Sequence, residues 1–173
     1  MSGKKHNNDT VMSYNDLIKQ WFEKSQLPEN DTFTTFIFLY FSFIAYLRQA
    51  LQGNHDRDNI QKLKNLPDAK NYYLHLIQDN KTLQATLKEL IAELGKRSLV
   101  NVTGRDDRYW TNTDLVLRNE EDWENLVEYW YRIRNNLFHA RKGPEIERDK
   151  RLVQYANLTL TPLMKYFVGI RQL

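Results

Sequence analysis

Cysteine is absent from the sequence, which removes disulfides, thiolate-ligated zinc and thiol nucleophiles. Glycine (6) and proline (4) are scarce among 173 residues, so the chain has few places where it must turn sharply. That scarcity favours long helices over many short strands. The four histidines, His6, His55, His75 and His139, lack the H-x-x-x-H or H-E-x-x-H spacing of a helical metal site. No metal and no other cofactor is therefore expected. The opening segment, MSGKKHNNDT, has no apolar run, so residues 1–12 read as a disordered polar tail with no signal peptide. The longest apolar stretch, Phe33 to Leu47, is interrupted by Thr34, Thr35 and Ser42 and ends at Arg48. It falls short of the ~18 residues of a spanning helix and reads as a buried core helix. The expectation is a cytoplasmic protein with no membrane contact.

Hydrophobic residues make up 41% of the chain and aromatics 13%, enough for a packed globule without covalent staples. No internal repeat or low-complexity linker divides the sequence, so residues 13–173 read as a single domain. The net charge is +3, with a pI near 9.0 and a mean hydropathy of −0.70. That mild basicity is compatible with a nucleic-acid partner without requiring one. The distribution of charge is more informative. Between Glu120 and Glu128 there are five acids and no base, whereas Arg132 to Arg151 holds seven bases against three acids. Helix-dipole matching explains part of this asymmetry, and the same asymmetry surrounds the segment after Arg132 with positive potential.

The periodicity predicts an all-α, up-and-down bundle of five to six main helices. A first helix spans Ser13 to Ser25, with Ser13 as N-cap and Leu17, Ile18, Trp21 and Phe22 on one face. A second, Thr32 to Gln52, is apolar all round and so is buried on several sides. After the polar break QGNHDRDN, shorter helices cover Ile60 to Leu66 and Asp68 to Gln78, and another runs from Lys81 to Lys96. Arg97 to Arg118 lacks a helical stripe and reads as a long ordered loop with room for a short strand. Its Arg105, Arg108, Tyr109 and Trp110 either stack on bases or pin the loop to the core. A strong helix opens after Asn119 as N-cap and stops at Gly143-Pro144; a last one runs from there to Arg171, with a kink at Pro162.

The helix after Asn119 carries the chemistry. Trp123, Leu126, Val127, Trp130, Ile133, Leu137 and Phe138 form one stripe, and Arg134 falls within it. A guanidinium there is either satisfied by a buried carboxylate or faces a groove or a partner subunit. Glu128 lies too far around the helix to serve it. His139 follows five residues later, about 140° away on an ideal helix. The two groups reach one phosphate only if the last turn loosens, or if two copies of the helix meet across a twofold axis.

The run Arg134-Asn135-Asn136-Leu137-Phe138-His139 resembles the R-x4-6-H signature of HEPN domains, in the variant with a polar residue after the arginine. The surrounding YWYRIRNNLFHARKG is similar to the phrasing of some bacterial members, although Ala140 stands where they often have glycine. The likeness covers about Tyr129 to Leu152. It implies a HEPN-like helical bundle and a metal-independent ribonuclease, in which the 2′-OH attacks the adjacent phosphate. In that reading His139 is general base or acid, Arg134 binds the scissile phosphate, and Asn135 orients one or the other. Arg132, Arg141 and Lys142 hold flanking RNA backbone. The resemblance implies a homodimer acting on RNA in a toxin–antitoxin, defence or RNA-processing setting, with any antitoxin or nucleotidyltransferase partner a separate chain. The competing readings are a non-catalytic HEPN-like module binding RNA, a nucleotide or a protein, and a helical scaffold in which Arg134 is a paired core residue.

Overall fold

The computed structural model describes residues 13–100, 114–139 and 145–169. These residues form seven α-helices: α1 (Tyr14–Ser25), α2 (Thr32–Leu51), α3 (Asp56–Lys64), α4 (Pro67–Asp79), α5 (Lys81–Lys96), α6 (Trp123–Phe138) and α7 (Glu147–Gly169). Among the described residues the only β pairing is a single antiparallel bridge, Leu99 with Leu115. The described residues are all-α, as the scarcity of breakers predicts. The expected tail at residues 1–12 and the aromatic and arginine residues of 101–113 lie outside the described residues.

Local chemistry sets most boundaries. Ser13 caps α1 by accepting from Asp16 N–H, Asp31 caps α2 through Thr34 N–H, and Asn80 caps α5 through Leu83 N–H. Pro67 opens α4, where its missing N–H costs nothing. Two starts depart from expectation. Asp56 and Asp58, read as part of a polar break, form the first turn of α3, where their charge suits the positive helix end. The helix expected after Asn119 begins three residues later. Asn119 Oδ1 instead accepts from Glu121 N–H at 3.0 Å, closing a turn that precedes the helix.

α2 is the central element and packs against α1, α3 and α7. Its twenty residues agree with the expected span to within one residue, and by length and composition alone it could cross a membrane. Here Phe36, Leu39, Tyr40, Phe43 and Leu47 are buried in the protein interior, and Ser42 Oγ donates to Ile18 O at 2.7 Å. α7 runs unbroken through Pro162 and packs against α2, α5 and α6. An aromatic knot joins α2, α4 and α6: the Trp130 ring sits 5.9 Å from Phe43, 6.0 Å from Tyr73 and 6.1 Å from Trp123. Trp130 Nε1 donates to Thr159 Oγ at 2.9 Å, so the buried indole is also satisfied. This knot fixes the rotation of α6 and hence which of its polar side chains reach solvent.

Candidate active site

α6 presents two polar faces beside its buried stripe. The first lies inward. Glu128, 1% exposed, accepts from Arg57 at 2.6 Å, Lys64 at 2.6 Å and Arg132 at 3.1 Å. One carboxylate thus gathers cations from α3 and from the next turn of its own helix. Arg132 also donates to Leu99 O at 3.0 Å, tying α6 to the Leu99–Leu115 bridge. The Arg57 guanidinium stacks over the Tyr131 ring at 4.9 Å. Burial lowers the Lys64 ammonium below its ordinary range, and the charge of Glu128 counters that shift.

This cluster corrects one expectation. Arg132, read as an RNA-backbone contact, is only 1% exposed and spends its guanidinium on Glu128 and Leu99 O. Its position one turn after Glu128 draws it inward. Arg148 and Arg151, part of the same basic run, turn toward Glu93 on α5, at 3.3 and 3.4 Å. Part of the basic run is therefore structural. Arg141 and Lys142, the other two expected backbone contacts, lie outside the described residues.

The second polar face carries Arg134. Its side chain is 31% exposed, so it belongs neither to the core nor to open solvent. Nη1 donates to Asn135 Oδ1 at 3.0 Å, and Nη2 lies 3.9 Å from Asp56 Oδ2. The guanidinium rests 4.6 Å from the Phe138 ring centroid and 6.0 Å from that of Tyr40. Asn135 is buried, so its amide oxygen is a fixed acceptor. Phe138, assigned by periodicity to the buried stripe, is 52% exposed. It shields one side of Arg134 and borders Phe41 at 6.4 Å.

His139 is the C-cap of α6, which ends four residues before the expected stop at Gly143-Pro144. Its backbone N–H donates to Asn135 O at 3.0 Å, and its side chain is exposed. Arg134, Asn135 and His139 thus occupy the last turn and the cap of one helix. Among the described residues no hydrogen bond or ion pair joins Arg134 to His139. Nor do any three His, Asp or Glu side chains among them gather closely enough to ligate a metal ion.

Sequence reasoning passed over Arg48 and Asp56. Arg48 Nε and Nη2 donate to Asp56 Oδ1 at 3.0 and 2.7 Å, placing a second arginine beside Arg134. Only the end of the apolar run at Arg48 hinted at an exposed cation there. The turn that presents Asp56 requires glycine at position 53: Gly53 N–H donates to Asn59 Oδ1 at 2.8 Å, and a Cβ on Gly53 would meet that oxygen at 2.4 Å.

No family model matches the chain, and no curated protein or solved structure matches it either.

Proposed function

We propose that this protein is a HEPN-type, metal-independent RNA endonuclease that acts as a homodimer. The observation that carries the reading is the state of Arg134. Its guanidinium is half-exposed and steadied by the buried Asn135, on the same helix end that presents an exposed His139. A preset arginine fork suits the two non-bridging oxygens of a phosphodiester and the charge that grows on them during attack. Histidine is the residue type that exchanges protons most readily near neutral pH.

In the proposed reaction the 2′ oxygen attacks phosphorus and the bond from phosphorus to the 5′ oxygen breaks. The products are a 2′,3′-cyclic phosphate and a free 5′-OH. An imidazole at position 139 takes the 2′ proton, and a protonated imidazole supplies one to the departing 5′ oxygen. One His139 does both in turn: the imidazole of the subunit opposite Arg134 takes the 2′ proton and then passes it to the departing 5′ oxygen. A twofold contact along α6 also answers the geometry, since Arg134 and His139 leave an ideal helix about 140° apart. The exposed Phe138 between them supplies apolar surface for such a contact. The setting that fits is cytoplasmic toxin–antitoxin, defence or RNA-processing chemistry, with any antitoxin or nucleotidyltransferase a separate chain.

The divergence of Arg134 and His139 within one chain favours a second reading, a non-catalytic HEPN-like module that binds RNA, a nucleotide or a protein. His139→Ala separates the two. The nuclease reading expects RNA cleavage to vanish while RNA binding remains. Unchanged behaviour in both assays would remove His139 from any role.

A further inference from the structure

Asp56 sits between two guanidiniums that come from different helices. Arg48 of α2 makes a two-pronged contact to Oδ1, at 3.0 Å from Nε and 2.7 Å from Nη2. Arg134 of α6 approaches Oδ2 with Nη2 at 3.9 Å. The carboxylate therefore faces an arginine at each oxygen, an arrangement that equally suits the two non-bridging oxygens of a phosphodiester.

The contacts are unequal in a useful way. At 3.9 Å the Arg134 approach is too long for a hydrogen bond, so Asp56 does not exhaust that guanidinium. Both arginine side chains also keep solvent access, 51% for Arg48 and 31% for Arg134. An incoming anion can reach them without unfolding anything.

An independent observation points to the same place. The Tyr40 hydroxyl is buried and has no hydrogen-bond partner. The Arg134 guanidinium lies 6.0 Å from the centroid of its ring. Burial pushes its ionisation far above the ordinary phenol range, so it remains a neutral O–H donor lacking an acceptor. A buried polar group left in that condition is destabilising, and an added acceptor would relieve it.

We infer that Asp56 holds the place of a substrate phosphate between Arg48 and Arg134, and that Arg48 is a second phosphate ligand when RNA is bound. This inference rests on the RNA reading of Arg134. The test uses a 2′-O-methyl RNA oligomer, which cannot be cut by 2′ attack, with binding followed by fluorescence anisotropy over a salt series. Arg48→Gln weakens binding about tenfold at low salt and lowers the slope of log affinity against log salt by about 0.7. Arg134→Gln does the same, and Asp56→Asn tightens binding several-fold by removing the competing charge. If Arg48→Gln keeps the wild-type affinity and slope while Arg134→Gln loses both, Arg48 is no ligand and the RNA reading stands. Weaker binding by Asp56→Asn overturns the placeholder role. Failure of the wild-type protein to bind, or no effect of either arginine, overturns this inference and the RNA reading together.

Discussion

Arg134 donates from Nη1 to the amide oxygen of its immediate neighbour, Asn135, at 3.0 Å. Successive residues on a helix point about 100° apart, so this contact requires the arginine to fold around the helix. The buried Asn135 fixes the acceptor, and the Phe138 ring 4.6 Å from the guanidinium closes the other side. The result is an arginine with a restricted orientation and an open edge.

Asn135→Ala removes that acceptor and leaves Arg134 free to rotate. Loss of a hydrogen bond to a charged group is worth about 1.5–3 kcal/mol, so kcat/KM for RNA cleavage should fall about tenfold to hundredfold. Steady-state kinetics on a defined RNA substrate checks this. A variant with wild-type kcat/KM would mean that Asn135 does not position Arg134.

Glu128→Gln tests the inward face of the same helix. It leaves Arg57, Lys64 and Arg132 around a neutral amide in a buried site. Removing one partner of a buried ion cluster costs about 3–5 kcal/mol, and urea unfolding should register a loss of that size. A loss below about 1 kcal/mol would show that the cations relax to solvent.

Acid stability should depend on Asp122. Burial alone would raise its carboxyl, but hydrogen bonds from the Arg118 side chain and backbone and from Asn125 outweigh burial and hold it at about 2. The folded protein therefore keeps this carboxylate ionised to lower pH than the unfolded chain, whose value is near 3.8. Its contribution to stability is complete above about pH 4 and is lost as the pH falls toward 2. Asp122→Asn should lower stability at neutral pH and flatten the stability profile between pH 4 and 2. An unchanged slope across that window would contradict this account of Asp122.

The parts of this structure that were legible in the sequence are those set by local chemistry. Ser13 caps α1 as expected, because a short polar side chain precedes a periodic run, whereas Asn119, with the same local signal, closes a turn ahead of α6 instead. Arg132 was not legible, because its burial depends on Arg57 and Lys64 of α3 converging on Glu128 from far away in sequence. Phe138 fits the apolar period of α6 and is nonetheless exposed, because the helix has reached its end there. Arg134 and Asn135 were found through a motif and prove to be in contact. The Arg48–Asp56 pair beside them has no spacing rule, since a turn held by Gly53 and Asn59 creates it.

A site shared between subunits makes a distinctive prediction. Arg134→Ala and His139→Ala should each keep only a small residual activity alone, and a mixture allowed to exchange subunits should recover activity. Half of the dimers are then mixed, and each has one intact pairing, giving about a quarter of wild-type activity. A mixture as inactive as its components would place both groups in one chain.

The central claim is that Arg134 and His139 act on the same phosphodiester, and a double-mutant cycle of RNA cleavage in the presence of a chelator tests it most directly. The account predicts that the wild-type protein leaves 2′,3′-cyclic phosphate ends. It also predicts that Arg134→Ala combined with His139→Ala is no slower than the worse single variant, as for groups that serve one step. Intact RNA with the wild-type protein, or losses that multiply in the double variant, would contradict it.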